Sequence, residues 1–205
     1  MLSREENALV TRVGPGTPCG ELRRRYWHPA CFADELTAER PTKRVKLMHE
    51  DLVFFRDRSG HYGCLAEHCA HRGASLAYGF VEDCGLRCAY HGWKFDAQGN
   101  CLEQPFEPTG STYQDRVKQK AYPVEKLAGI LFVYMGPAPA PLLPRWDVLV
   151  REGGLRKLSR RPLLRYNWLQ AVENSADVTH TCFLHGHLLH QQGARGVHMV
   201  KSTGS

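Results

Sequence analysis

The chain has 205 residues, with 27 Lys and Arg against 21 Asp and Glu, for a formal net charge of +6. At 42% hydrophobic and 23% charged residues it has the composition of one or two globular domains, which excludes a disordered chain. The basic runs, Arg23-Arg24-Arg25 and Arg151 through Arg165, lack interleaved aromatics or a nucleic-acid module. They read as solvated faces, with docking of an acidic electron-transfer partner as the alternative. The longest apolar run, residues 127–135, is about half of a membrane span. The opening MLSREENALV lacks the apolar core of a signal peptide. The expectation is a cytoplasmic protein with no nucleic acid or membrane partner.

Ser3-Arg4-Glu5-Glu6 has capping-box form and predicts a short opening helix, broken by Gly14-Pro15-Gly16. Thr17 then serves as an N-cap, with Pro18 at the first helical position and a helix running toward Tyr26. From Val45 to about Val133, short β-rich runs alternate with turn residues. Strands are predicted at 52–55, 61–65, 86–90, 93–95 and 130–134, with turns at 57–60 and 97–100, the pattern of a small antiparallel β domain. Pro137, Pro139, Pro141 and Pro144 make a stiff connector. The pattern is helical again from Tyr166 to about Phe183. Residues 186–205 carry four glycines and no acidic residue.

Eight cysteines without a secretion signal read as metal ligands or buried thiols, not as a disulfide scaffold. The informative pattern is Cys69-Ala70-His71, sixteen residues, then Cys88-Ala89-Tyr90-His91. Each half offers one thiolate and one imidazole beside a glycine-containing turn. Two facing loops of this kind suit a [2Fe–2S] cluster, both cysteines on one iron and both histidines on the other. Two ferric ions, two sulfides and two thiolates sum to zero charge with neutral imidazoles, so an added electron is less opposed than in an all-cysteine cluster. Zinc also takes Cys₂His₂ sets, but its usual spacings keep the cysteines together and the histidines together. Cys64 and Cys84, like Cys19, Cys31, Cys101 and Cys182, read as buried apolar thiols. His68 reads as an exposed loop residue, and Trp93 and Phe95 as core.

The runs Cys69-Ala70-His71-Arg72-Gly73-Ala74-Ser75-Leu76 and Leu86-Arg87-Cys88-Ala89-Tyr90-His91-Gly92-Trp93 resemble the Rieske domain of aromatic ring-hydroxylating oxygenases. Gly14-Pro15-Gly16-Thr17-Pro18 and Arg24-Arg25-Tyr26-Trp27-His28-Pro29-Ala30 are similar to the large subunit of the phthalate 4,5-dioxygenase group, and the resemblance extends over residues 1–190. It implies a mainly β fold, a Rieske-type antiparallel domain followed by the helical start of an α+β helix-grip catalytic domain. The expected divisions are 1–136 for the helices and Rieske domain, 137–145 for the connector and 146–205 for an incomplete catalytic segment. Respiratory Rieske proteins bridge their loops by a disulfide in the pattern C-x-H-x-x-C, and the matching position here is Ala74. Gly92 stands where a hydrogen-bonding serine raises the potential in that type. The expected potential lies near the bottom of the range of about −150 to +300 mV.

Within the later helical run, Asp177 and His180 share a face, and His185 joins them only if the helix loosens near Phe183. By resemblance, His180 and His185 are two ligands of a mononuclear Fe(II), since oxygen-activating ferrous sites use two histidines and a carboxylate. Asp177 is then a bridge to a Rieske histidine of a neighbouring subunit, and Glu173 and Asn174 support the site by hydrogen bonds. His187 and His190 have no counterpart and read as non-ligands. The third ligand of the family is an aspartate far downstream, and the twenty residues after His185 hold no Asp or Glu. The chain is therefore expected to be the N-terminal portion of an oxygenase, inactive and monomeric by itself where complete relatives are homotrimers. The implied partners are a flavin/iron–sulfur reductase using reduced nicotinamide, O₂ and an aromatic carboxylate. The alternative is a stand-alone Rieske ferredoxin-like carrier.

Overall fold

A computed structural model describes residues 2–159 and 164–187. Its residues fall into two compact units, one of residues 12–155, the other joining residues 2–11 to the described residues after 155.

The larger unit begins with helix α2 (Pro18–Arg24), following α1 (Arg4–Thr11) of the smaller one. Thr17 caps α2 as the sequence predicts, its Oγ1 accepting from the Gly20 N–H at 3.2 Å. Eleven strands follow: β1 (Trp27–Phe32), β2 (Thr42–Leu47), β3 (Glu50–Arg56), β4 (Tyr62–Ala66), β5 (Phe80–Glu82), β6 (Gly85–Arg87), β7 (Lys94–Phe95), β8 (Cys101–Glu103), β9 (Ala121–Tyr122), β10 (Val124–Leu127) and β11 (Ile130–Tyr134). They form three antiparallel sheets, in the orders β1-β11-β10, β2-β3-β4-β9 and β5-β6-β7-β8. Strand β3 is apolar on both faces because both are covered. Leu52 and Phe54 enter one core with Cys31, Cys64 and Leu131. Val53 and Phe55 enter a second with Leu65, Leu86, Phe95, Cys69 and Cys88. This second core lies between the two four-stranded sheets' inner residues and carries the suspected ligands.

Two expectations change here. The run 86–90 does not continue as a strand: β6 ends at Arg87, because the Cys88 N–H donates to Trp93 O and the chain closes into a loop. Arg24 is not on a solvated face but buried, donating to Met48 O at 2.9 Å and paired with Glu50. The reason is the β2–β3 turn, where Met48 and His49 both take positive φ, 50° and 62°. Such turns favour Asn and Gly; here a guanidinium bound on either side of the turn holds it instead. The proline-rich stretch packs onto the same unit, since Trp27 Nε1–H donates to Pro141 O at 2.8 Å and Leu143 is buried against Trp27 and Tyr134. The short helix α3 (Asp147–Val150) ends it.

In the smaller unit, Ser3 and Glu6 form the predicted capping box of α1. Helix α4 (Trp168–Ala176), N-capped by Asn167, is fastened to α1 by a Trp168 Nε1–H bond to Thr11 O at 3.1 Å. Helix α5 (Val178–His180) and a π-helical turn (Thr181–His185) complete it. His190 lies outside the described residues.

Candidate metal centres

The two cysteine-histidine loops share one hydrogen-bond frame. In the first, the Cys69 N–H donates to Ala74 O and the Gly73 N–H donates back to Cys69 O, both at 2.9 Å. In the second, the Cys88 N–H donates to Trp93 O at 2.8 Å and the Gly92 N–H to Cys88 O at 3.0 Å. Offsets of five and four residues recur, and the closing glycines have φ +72° and +75°, the left-handed region that glycine enters without penalty. The shared sequence is Cys-Ala-x-x-Gly, with histidine third in one loop and fourth in the other.

The frame sends sulfur inward and imidazole outward. Cys69 and Cys88 are buried and their sulfurs are neighbours. His71 and His91 are half-buried, with ring centroids 4.5 Å apart at 68°. The four side chains thus stand as two pairs, thiol with thiol and imidazole with imidazole. A two-iron cluster takes one pair per iron, whereas a zinc ion needs all four on one centre. The His71 Nδ1 is buried without a hydrogen-bond partner, which fits a nitrogen reserved for a metal. Burial, with the Cys88 sulfur beside it, pushes the Cys69 thiol up to about 11, while the N–H groups of His71 and Arg72 pull the other way by pointing at its sulfur. Such a thiol is inert until a metal displaces its proton. Burial, then the neighbouring His91 and Arg72, lowers the pKa of His71 and favours the neutral imidazole that a metal requires.

Several supports are invisible to local sequence reading. Trp93, expected as plain core, stacks flat on His71, centroids 4.3 Å apart at 7°. Buried Glu67 accepts from Ser75 Oγ at 2.6 Å across the neck of the first loop and pairs with Arg44 at 2.9 Å. Arg87 donates to Gly92 O at 2.7 Å in the second loop and to both Glu82 and Glu103. His68 is exposed, as expected, with Nδ1 3.0 Å from Gly73 O. Cys64 is fully buried in the other core and Cys84 is exposed in the β5–β6 turn, so the expected burial holds for the first and fails for the second.

In the smaller unit the π turn settles how residues five apart meet. With i→i+5 bonding the His180 and His185 rings meet edge to face, centroids 5.4 Å apart at 70°. Asp177 caps α5, its Oδ1 accepting from the N–H groups of Thr179 and His180 at 2.9 and 3.2 Å. Its Oδ2 lies 3.3 Å from His180 Nδ1. The His180 and Thr179 N–H bonds, with the His180 ring, hold this carboxyl below its usual range. Glu173 and Asn174 lie on α4, where Glu173 accepts from Gln170 at 3.1 Å. Among the described residues no three Cys, His, Asp or Glu side chains converge as a single-ion site.

The model of the Rieske [2Fe-2S] domain family matches residues 26–123, a span that holds both loops. This chain carries a Rieske domain. Its cofactor is a [2Fe–2S] cluster, and the chain is related to the large subunits of aromatic Rieske oxygenases. It is 52% identical over 188 residues to the 5,5'-dehydrodivanillate O-demethylase oxygenase subunit of Sphingobium sp. (strain NBRC 103272 / SYK-6), covering 90% of this chain and 44% of that protein. It is 39% identical over 189 residues to the phthalate 4,5-dioxygenase oxygenase subunit of Pseudomonas putida, covering 90% of this chain and 42% of that one. The Rieske chain thus spans less than half the length of these relatives. Among solved structures, NdmA of Pseudomonas putida CBB5 superposes with a TM-score of 0.69 at 26% identity, over 88% of this chain and 56% of that one. No helix among the described residues is long and apolar enough to cross a membrane.

Proposed function

We propose that Cys69, His71, Cys88 and His91 hold the [2Fe–2S] cluster of an oxygenase component acting on an aromatic carboxylate with O₂, fed by a flavin/iron–sulfur reductase that uses reduced nicotinamide. The observation that carries this reading is the pair of identically framed loops, with a thiol pair inside and an imidazole pair at the surface. In it, His180 and His185 are two ligands of a mononuclear Fe(II), and the third carboxylate is not among residues 186–205. When bound, the cluster passes single electrons and the mononuclear iron spends them on oxygen.

The residues' own work follows from their placement. Burial keeps the two sulfurs from water, and the His71 and Arg72 N–H groups spread the charge of the Cys69 sulfur. The imidazoles stand at the rim, where electrons enter and leave. The buried His180 Nδ1 makes no hydrogen bond and stays open to iron, while Asp177 lies beside it with Oδ2 at 3.3 Å. The open side of Asp177, 48% exposed, suits the electron bridge to a neighbouring subunit's Rieske histidine. Glu173, bonded to Gln170 on α4, and Asn174 are the residues this reading assigns to supporting the site. In this reading the assembled oxygenase is a homotrimer, the 205-residue chain alone is a monomer, and all eight cysteines being free suits a reducing cytoplasm.

The test is metal and sulfide analysis after anaerobic purification, with a reduced-state EPR spectrum. Two irons and two sulfides with a Rieske signal support the cluster assignment; stoichiometric zinc without sulfide would sink it. A third iron that is lost in His180→Ala, while the Rieske signal stays, supports the second site. Two irons only, unchanged by that substitution, would make the chain an electron carrier.

A further inference from the structure

Gln119 is distant from the ligand loops in sequence and fully engaged with one of them in space. Its side chain is 2% exposed. Its Oε1 accepts from the Ala70 N–H at 2.7 Å, and its Nε2 donates to Ala66 O and His68 O, both at 2.9 Å. Both amide protons and the carbonyl are therefore used. The three backbone groups belong to alternate residues leading into the Cys69-Ala70-His71 loop. Gln119 is itself held firmly: its N–H donates to Gly99 O at 2.8 Å, and a Cβ at Gly99 would lie 2.0 Å from Gln119 O. The next strand, β9, pairs Ala121 with Leu65 of β4.

A buried amide costs free energy unless every bond is made, and a leucine would fill the space without that demand. What leucine would not do is claim the Ala70 N–H. That group lies between the two ligands of the loop, one residue before the N–H groups of His71 and Arg72 that point at the Cys69 sulfur. Hydrogen bonds to cluster sulfurs stabilise the reduced state, so which amides point inward sets the potential.

We propose that Gln119 is a positioning residue of the Rieske centre: it clamps residues 66–70 so that the His71 and Arg72 amides, and not that of Ala70, face the Cys69 sulfur, and thereby sets the cluster's reduction potential and lifetime. This rests on Cys69 and His71 being ligands. Two substitutions in the full 205-residue chain separate the roles. Gln119→Leu removes all three bonds at similar volume. Gln119→Glu keeps the acceptor for Ala70 but, when ionised, turns a second oxygen lone pair toward the carbonyls of Ala66 and His68; protonation restores one donor.

In Gln119→Leu the midpoint potential falls, the g-values of the reduced cluster shift and the cluster is lost faster to a chelator. By hydrogen exchange, segment 66–72 exchanges faster while β3 and β11 keep their protection. A folded Gln119→Leu with wild-type potential, g-values and lifetime would overturn the proposal. If Gln119→Leu does not fold, Gln119→Glu decides. Exchange of segment 66–72 that outpaces wild type by a margin widening between pH 5.5 and about 7.5, with β3 and β11 still protected, supports the clamp, and a constant or absent margin overturns it. The two readings fail separately: a Cys69→Ser chain that keeps the Rieske spectrum overturns the ligand assignment. A colourless Cys69→Ser beside a Gln119→Leu of wild-type potential overturns the clamp alone.

Discussion

Cysteine and histidine divide each loop between inside and outside, and the division follows their chemistry. A thiol tolerates an apolar core that an imidazole with an open nitrogen does not. Cys69 and Cys88 sit in the second core among Leu65, Leu86 and Phe95, while His71 and His91 reach the surface. Cys69→Ser and His91→Ala are expected to abolish the reduced Rieske spectrum. Cys64→Ala, in the other core, costs on the order of 1 kcal/mol of packing and leaves the spectrum unchanged, as does Cys84→Ala at the exposed turn. Loss of colour in either alanine variant would reassign the ligands.

The repeated frame of the two loops lets the closing glycines be compared directly. Gly73 has open space where a side chain would begin, so Gly73→Ala bears only the left-handed backbone penalty of about 1–2 kcal/mol. At Gly92 a Cβ would also come within 3.1 Å of Pro105 Cγ, so Gly92→Ala is expected to destabilise more. Denaturant unfolding of the two variants side by side checks the order, which reversal would refute. Beneath the second loop, Arg87 ties β5, β6 and β8 to Gly92 O. Its hydrogen bonds, with those of Lys94, lower the Glu82 carboxyl from 4.5 to about 2. A carboxylate held low contributes stability that is complete above about pH 4.5 and is lost as the pH falls through 2. Arg87→Met is therefore expected to unfold at higher pH in an acid titration, with the second loop loosening first. An unchanged acid midpoint would show that the network contributes nothing in solution.

In the larger unit, residues 12–155, both ligand loops, the second core and the proline-rich stretch bound to Trp27 lie together. Residues 12–155 alone are expected to assemble a cluster with the EPR spectrum of the full chain, and a chain shortened to 136 to be less stable, having lost the Leu143 contact and the Trp27 bond. The smaller unit carries Asp177, His180 and His185 on helices with no buried residue. With reductase, nicotinamide and O₂ supplied, the 205-residue chain is expected to take up electrons without oxygenating phthalate-like or chlorobenzoate-like acids. Product that disappears in His180→Ala would show that Glu173, Asp177 or another group completes the site.

What the sequence by itself determined was local: the capping box at Ser3, the Thr17 cap, the five-residue strand 130–134, and the cysteine–histidine spacing. Each is written within a few neighbouring residues, where backbone preference and ligand chemistry act. Only the tertiary structure decided that Arg24 is buried, that Trp93 plates His71, that Gln119 holds the first loop and Arg87 the second, and that a π turn brings His180 to His185. Those facts join residues separated along the chain, or depend on how a helix winds. A glutamine or arginine has the same local preference in solvent as in a core; the groups that fold against it decide what it binds.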